Sequence, residues 1–119
     1  MLFDVERTTL AGRPSLTVRG ELDLATAPQL AEAVDAQLAA GPEAFLVDLT
    51  HTVFMDSSGA RELARTARKA LAAGVGMHVL APHRHGAVRL TIDLLELGSA
   101  MPIVDSAAAI GFVERDATP

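Results

Sequence analysis

The chain has 119 residues, half of them apolar, and 15 acidic against 10 basic side chains give it a net charge of −5. That is the size of one domain with a real hydrophobic core, and it is too apolar for a disordered chain. With no Trp, no Tyr and only four Phe, the chain lacks the stacking groups and basic grooves that hold bases, and its acidity disfavours nucleic acid and anionic membrane surfaces alike.

Cysteine is absent, which excludes disulfides, thiolate catalysis and cysteine-ligated zinc. The start, Met1-Leu2-Phe3-Asp4-Val5-Glu6, carries acids where a signal peptide needs bases. The apolar runs fall well short of the ~20 residues that span a bilayer. A soluble, cytoplasmic protein without membrane contact is expected. Residues 1–115 read as a single domain and 116–119 as a short tail.

The elements follow in chain order. Residues 2–10 alternate at Phe3 and Val5 and predict a strand. Ala11-Gly12-Arg13-Pro14 is a turn. Residues 15–24 alternate Leu16, Val18, Leu22 and Leu24 with polar neighbours, so a hairpin is expected. Thr26-Ala27-Pro28-Gln29 starts a helix: Thr26 suits the cap, Pro28 the first turn, and Gln29 the capping-box partner. Leu30, Val34 and Leu38 share its apolar face, and Gly41-Pro42 ends it.

Residues 45–49 (Phe-Leu-Val-Asp-Leu) predict a strand buried on both faces, with Asp48 hydrogen-bonded near its end. Phe54-Met55-Asp56-Ser57-Ser58-Gly59 then joins that strand to a helix starting near Ala60. Ala60, Leu63, Ala64, Ala67, Ala70 and Leu71 make its apolar stripe, opposite Arg61, Arg65, Arg68 and Lys69. Residues 75–80 predict another buried strand, 82–86 a loop, 88–97 a third helix, and 103–104 a last short strand. Ser106 caps a final helix to about Val113. The fold class is α/β: a mixed, mostly parallel sheet of about five strands with about four helices.

The turn at residues 54–59 is the most informative feature. The first N–H groups of a helix have no intrahelical partner and sit at the positive end of its dipole, so they favour an anion. A serine hydroxyl there is well placed to carry a phosphate. Asp56 would confront that phosphate with a like charge, which suits a switch better than a ligand pocket.

Three stretches make the chain resemble the STAS domains, in particular the stand-alone anti-sigma factor antagonists of bacteria. The first is Gly20-Glu21-Leu22-Asp23-Leu24-Ala25-Thr26-Ala27; the second is Val47-Asp48-Leu49 with Phe54-Met55-Asp56-Ser57-Ser58-Gly59; the third runs from Leu94 through Met101-Pro102-Ile103-Val104-Asp105-Ser106. The resemblance implies the STAS fold and a partner-switching function. The unphosphorylated form would bind an anti-sigma factor that is also a serine kinase, freeing a sigma factor for transcription, often in a stress response. Phosphorylation of Ser57 would end that binding, and a metal-dependent serine phosphatase would restore it. Asp23, Thr26, Asp56, Ser57, Ser58, Gly59 and Arg61 are the expected partner-binding residues. No catalytic residue, cofactor or metal is implied, and the protein would be a monomer or weak dimer. The chain departs from the family after the motif: Ala60 stands where a large aliphatic residue is usual, and Arg61 puts a cation one turn from Ser57, able to pair with a Ser57 phosphate or with Glu62.

Plainer readings stand beside these. Ser57 and Ser58 are common helix caps, with Ser58 the better structural candidate. Asp56 suits a turn, and Asp23 a loop before Thr26. His51, His78, His83 and His85 lack metal-ligand spacing and read as solvated loop residues. A small hydrolase with Ser57 as nucleophile would lack the Gly-x-Ser-x-Gly elbow. The alternative within the family is a scaffold or regulatory module of a stress-signalling complex or transporter.

Overall fold

The computed structural model describes residues 2–106. The order is β1 (Asp4–Leu10), β2 (Arg13–Leu22), α1 (Ala27–Ala39), β3 (Ala44–Asp48), β4 (Thr52–Met55), α2 (Ser57–Ala72), β5 (Gly76–Leu80), α3 (Gly86–Leu94), a 3-10 turn (Leu97–Ser99) and β6 (Ile103–Val104). The expected hairpin is β1 antiparallel to β2, from Asp4 against Arg19 to Leu10 against Arg13. The other pairings, β2–β3, β3–β5, β5–β6 and β2–β4, are parallel.

Among the described residues the sheet has six strands, against about five expected. The additional strand, β4, starts at Thr52 and Val53, for which no element was expected, and runs into Phe54-Met55, read as part of the joining turn. Its four residues, which open on polar Thr52, carry too short a pattern to announce a strand. Long-range pairing makes it: β2 bonds β3 through residues 15–17 and then changes partner, aligning Gly20 with Thr52 and Leu22 with Met55. The ladder is irregular between Gly20 and Glu21, and Gly20 has φ +101°. Glycine adopts that conformation without the penalty a side chain would meet. A Cβ there would also lie 3.0 Å from the Phe3 Cα.

The other edge of β4 is covered by α3 rather than by a strand. The Thr91 hydroxyl donates to the Met55 carbonyl (2.8 Å), and the His85 ring Nε2 meets the Thr52 carbonyl. These side chains satisfy backbone groups that would otherwise template aggregation.

Alternation along the strands divides the interior in two. Leu16, Val18, Phe45, Val47, Met77 and Val79 join the large core with Leu30 and Val34 of α1, Leu63 of α2, and Val88 and Ile92 of α3. Leu46 and Leu80 form a smaller cluster with Leu10 and Val104. Asp48 is buried, its Oδ1 accepting from the Thr50 N–H (2.9 Å), the strand-end role expected of it.

The helices differ from expectation in detail. In α1 the buried position after Leu30 and Val34 belongs to Gln37 rather than Leu38, and its Oε1 accepts from Arg7 Nε (3.0 Å) across to β1. In α2 Leu71 is 77% exposed, because Ala70 already occupies the inward position in the last turn. The third helix begins at Gly86 and ends at Leu94; Glu96, at φ +52°, breaks it before the 3-10 turn. The final helix expected to run to Val113 lies outside the described residues. Among the described residues no helix is long and apolar enough to cross a membrane.

Candidate functional site

Leu22 and Met55 end two strands that run side by side in the same direction. The segments that leave them must therefore emerge together at one end of the sheet. After Leu22 come residues 23–26 and α1; after Met55 come Asp56 and α2. The two segments touch directly: the Asp56 N–H donates to the Leu22 carbonyl (3.3 Å). Gly59 packs so closely that a Cβ on it would lie 2.3 Å from the Leu22 oxygen. Parallel pairing thus brings Asp23 and Thr26 beside Asp56, Ser57, Ser58 and Gly59, residues from two distant parts of the sequence.

Within this site the caps are assigned differently from expectation. Asp56, not Ser58, caps α2, its Oδ1 accepting from the Gly59 N–H at 2.9 Å. Asp56 has the extended backbone a cap needs and stands three residues before the donor, whereas both serines already lie within the helix. Thr26 does not cap α1 with its side chain. Its backbone is helical, so its hydroxyl turns back instead, donating to the Glu21 carbonyl (2.7 Å) and accepting from the Asp23 N–H (2.9 Å). Asp23 Oδ1 accepts from the Ala25 and Thr26 N–H groups at 3.0 and 3.1 Å. Both acids therefore hold the loops in shape.

These bonds leave Ser57 exposed at the first helical position of α2 and Ser58 half-buried behind it. Asp56 uses the Gly59 N–H, so the earlier donors of the first turn are available to an anion at Ser57. Ala60 is fully buried. Arg61, one turn on from Ser57, is exposed, and Glu62 pairs with Arg65 (3.6 Å), not with Arg61.

Sequence reasoning missed the surface beside the serines. A groove of about 370 Å³ runs along α2, lined by Leu24, Ala27, Ser58, Arg61, Arg65 and Arg68 among others. Leu24, read as a strand residue, lies beyond the end of β2 and is 76% exposed. The signal available in sequence was the run of cations at 61, 65 and 68, three and four apart on one helix face.

The histidines stand apart from this site, and they are not all loop residues. His78 lies in β5, half-buried; burial lowers its pKa, and the positive charge of Arg13 lowers it further. His83 Nδ1 meets Asp105 (2.6 Å), and the His83 backbone N–H donates to the same carboxylate. Those two bonds hold the Asp105 pKa below its usual value, the backbone one more strongly. A second cleft of about 500 Å³ includes His51 and His85 with Asp4, Arg19, Thr50 and Val53. Among the described residues no histidine hydrogen-bonds Ser57, and no three His, Cys, Asp or Glu are grouped to hold a metal ion.

The family model described as the STAS domain matches residues 5–112. The anti-sigma-F factor antagonist RsfB of Mycobacterium tuberculosis is 41% identical over 54 residues, 45% of this chain and 44% of that protein; the match thus spans less than half of this curated relative. Among solved structures, an anti-sigma factor antagonist from Mycobacterium paratuberculosis superposes with a TM-score of 0.73 at 29% identity, covering 92% of this chain and 93% of that one. A putative antagonist from Thermotoga maritima gives a TM-score of 0.77 at 17% identity, covering 92% and 94%, a likeness of fold. The chain belongs to the STAS domain family.

Proposed function

We propose that this protein is an anti-sigma factor antagonist whose unphosphorylated form binds an anti-sigma factor and so releases a sigma factor. Phosphorylation of Ser57 by that anti-sigma factor, acting as a serine kinase, ends the complex, and a metal-dependent phosphatase restores it. The protein acts by binding rather than catalysis, needs no cofactor, and works in the cytoplasm as a monomer or weak dimer. The observation that carries this reading is the exposed Ser57 on the first turn of α2, set beside the Asp23 loop in a STAS fold. The whole-length likeness to a mycobacterial antagonist supports it.

The chemistry follows from position. A phosphate on Ser57 adds about −1.5 to −2 of charge. The helix N-terminus accommodates it within the domain, whereas a partner packed against the turn must desolvate and oppose it. Each tenfold loss of affinity needs only about 1.4 kcal/mol.

The test is calorimetric titration of the purified anti-sigma factors of the source cell with wild type, Ser57→Ala and Ser57→Asp. Ser57→Ala should bind one of them as wild type does, and Ser57→Asp at least about tenfold more weakly. With ATP, that same partner should add one phosphate to wild type and none to Ser57→Ala, read by intact mass. Equal binding by the two variants would remove the switch.

A further inference from the structure

The groove along α2 carries a charge opposite to that of the chain around it. The protein has a net charge of −5, yet Arg61, Arg65 and Arg68 line this one surface, where Glu62 is the acid among the lining residues. Glu62 is mostly covered, only 12% of its side chain being exposed, and its contact with Arg65 is a loose 3.6 Å. Among the described residues neither acid of the adjacent loops forms an ion pair with these arginines; their carboxylates are turned to backbone N–H groups, Asp23 to those of Ala25 and Thr26 and Asp56 to that of Gly59. Lys69, by contrast, is matched by Asp35 of α1 and adds nothing to the groove. At the other wall Leu24 holds an apolar side chain 76% exposed to water.

Resting on the reading of Ser57 above, we propose that this groove is the docking site for an acidic segment of the partner protein. Carboxylates of that segment face Arg61, Arg65 and Arg68, and an apolar side chain covers Leu24. Charge complementarity selects this occupant: a basic segment would meet like charge, and a second copy docked through the same groove would set one row of arginines against the other, while forked guanidinium groups suit carboxylates. Phosphorylation then acts as competition within the molecule. Ser58 lines the groove and Ser57 precedes it, with Arg61 one turn along the same helix. A phosphate on Ser57 draws Arg61 to itself and places negative charge where the partner's carboxylates would sit.

Two measurements test this. In the first, a random dodecapeptide phage library is selected on the wild-type chain and on Arg61→Glu/Arg65→Glu, each checked for folding by circular dichroism. Wild type should enrich peptides rich in Asp and Glu with one large apolar residue, and the variant should not. The enriched peptide should shift amide resonances of residues 24–27 and 58–68, and lose affinity as salt rises. Enrichment of basic peptides, of none, or of the same peptides by the variant would overturn the proposal. In the second, the anti-sigma factor that binds wild type is titrated with the single variants Arg61→Ala and Arg68→Ala. Each should weaken binding by about tenfold. Unchanged binding would refute the groove while leaving the antagonist reading intact. An acidic consensus with no anti-sigma factor bound would do the reverse.

Discussion

Gly59 shows how little room the candidate site allows. Its position is helical, so conformational freedom is not what requires glycine there; space is, because a Cβ at this residue would meet the Leu22 carbonyl oxygen at 2.3 Å and its carbon at 2.8 Å. Both of these are backbone atoms, which cannot rotate away. Gly59→Ala must therefore separate β2 from α2, and overpacking of this kind costs about 1–3 kcal/mol or more. The expected result is a lower urea midpoint together with weakened anti-sigma binding, because the Asp23 loop and the Ser57 turn are no longer in register. A variant as stable as wild type would show that the two segments are not held this tightly. The capping roles belong to the same scale. Asp56 and both serines are all acceptable caps by residue type, and only the extended backbone at Asp56 decides among them.

At the scale of elements, β5 carries a titratable group into a partly buried place. His78 has a ring nitrogen, Nδ1, that is shut off from solvent and has no hydrogen-bond partner. Burial, and then the charge of Arg13, holds its pKa below the ordinary value of 6.5. The sign follows directly. Below pH 6.5 the unfolded chain takes up a proton that the folded chain resists, so acid favours unfolding. The stability contributed by neutral His78 is fully present above the unfolded value and falls as pH drops below it. Urea unfolding at pH 7.5 and 5.5 should show wild type losing more stability on acidification than His78→Leu. Equal losses would mean that His78 is not the group responsible. The buried strand at residues 75–80 was legible in the sequence, and so, Leu71 apart, was the apolar stripe of α2. The strand β4 was not, since its four residues are held by β2, by Thr91 and by His85 rather than by their own pattern.

At the scale of the whole molecule, the site sits at one end of the sheet, on segments whose backbone is already bonded. Asp56 caps α2 from outside the helix, and Asp23 and Thr26 close their own loop. A phosphate added at exposed Ser57 thus has no buried structure to displace. Phosphorylated protein is expected to keep its amide spectrum except at residues 23–27 and 56–65, with its unfolding midpoint within a few degrees of the unmodified chain. Widespread shifts would mean that the switch works by refolding rather than by local charge.

The sequence by itself determined the class of fold, the hairpin, the helical faces apart from Leu38 and Leu71, and the serine turn. Those depend on residues near one another along the chain, where periodicity and turn chemistry act directly. It also carried the family, through motifs that stay contiguous. Tertiary structure alone decided that β2 changes partners at Gly20, that the end of β2 meets Asp56 at the start of α2, and that exposed Leu24 lines a groove with a row of arginines. Each of these follows from the parallel pairing of Leu22 with Met55. Residues so distant are brought together only when the core forms, and no local pattern records where they will meet.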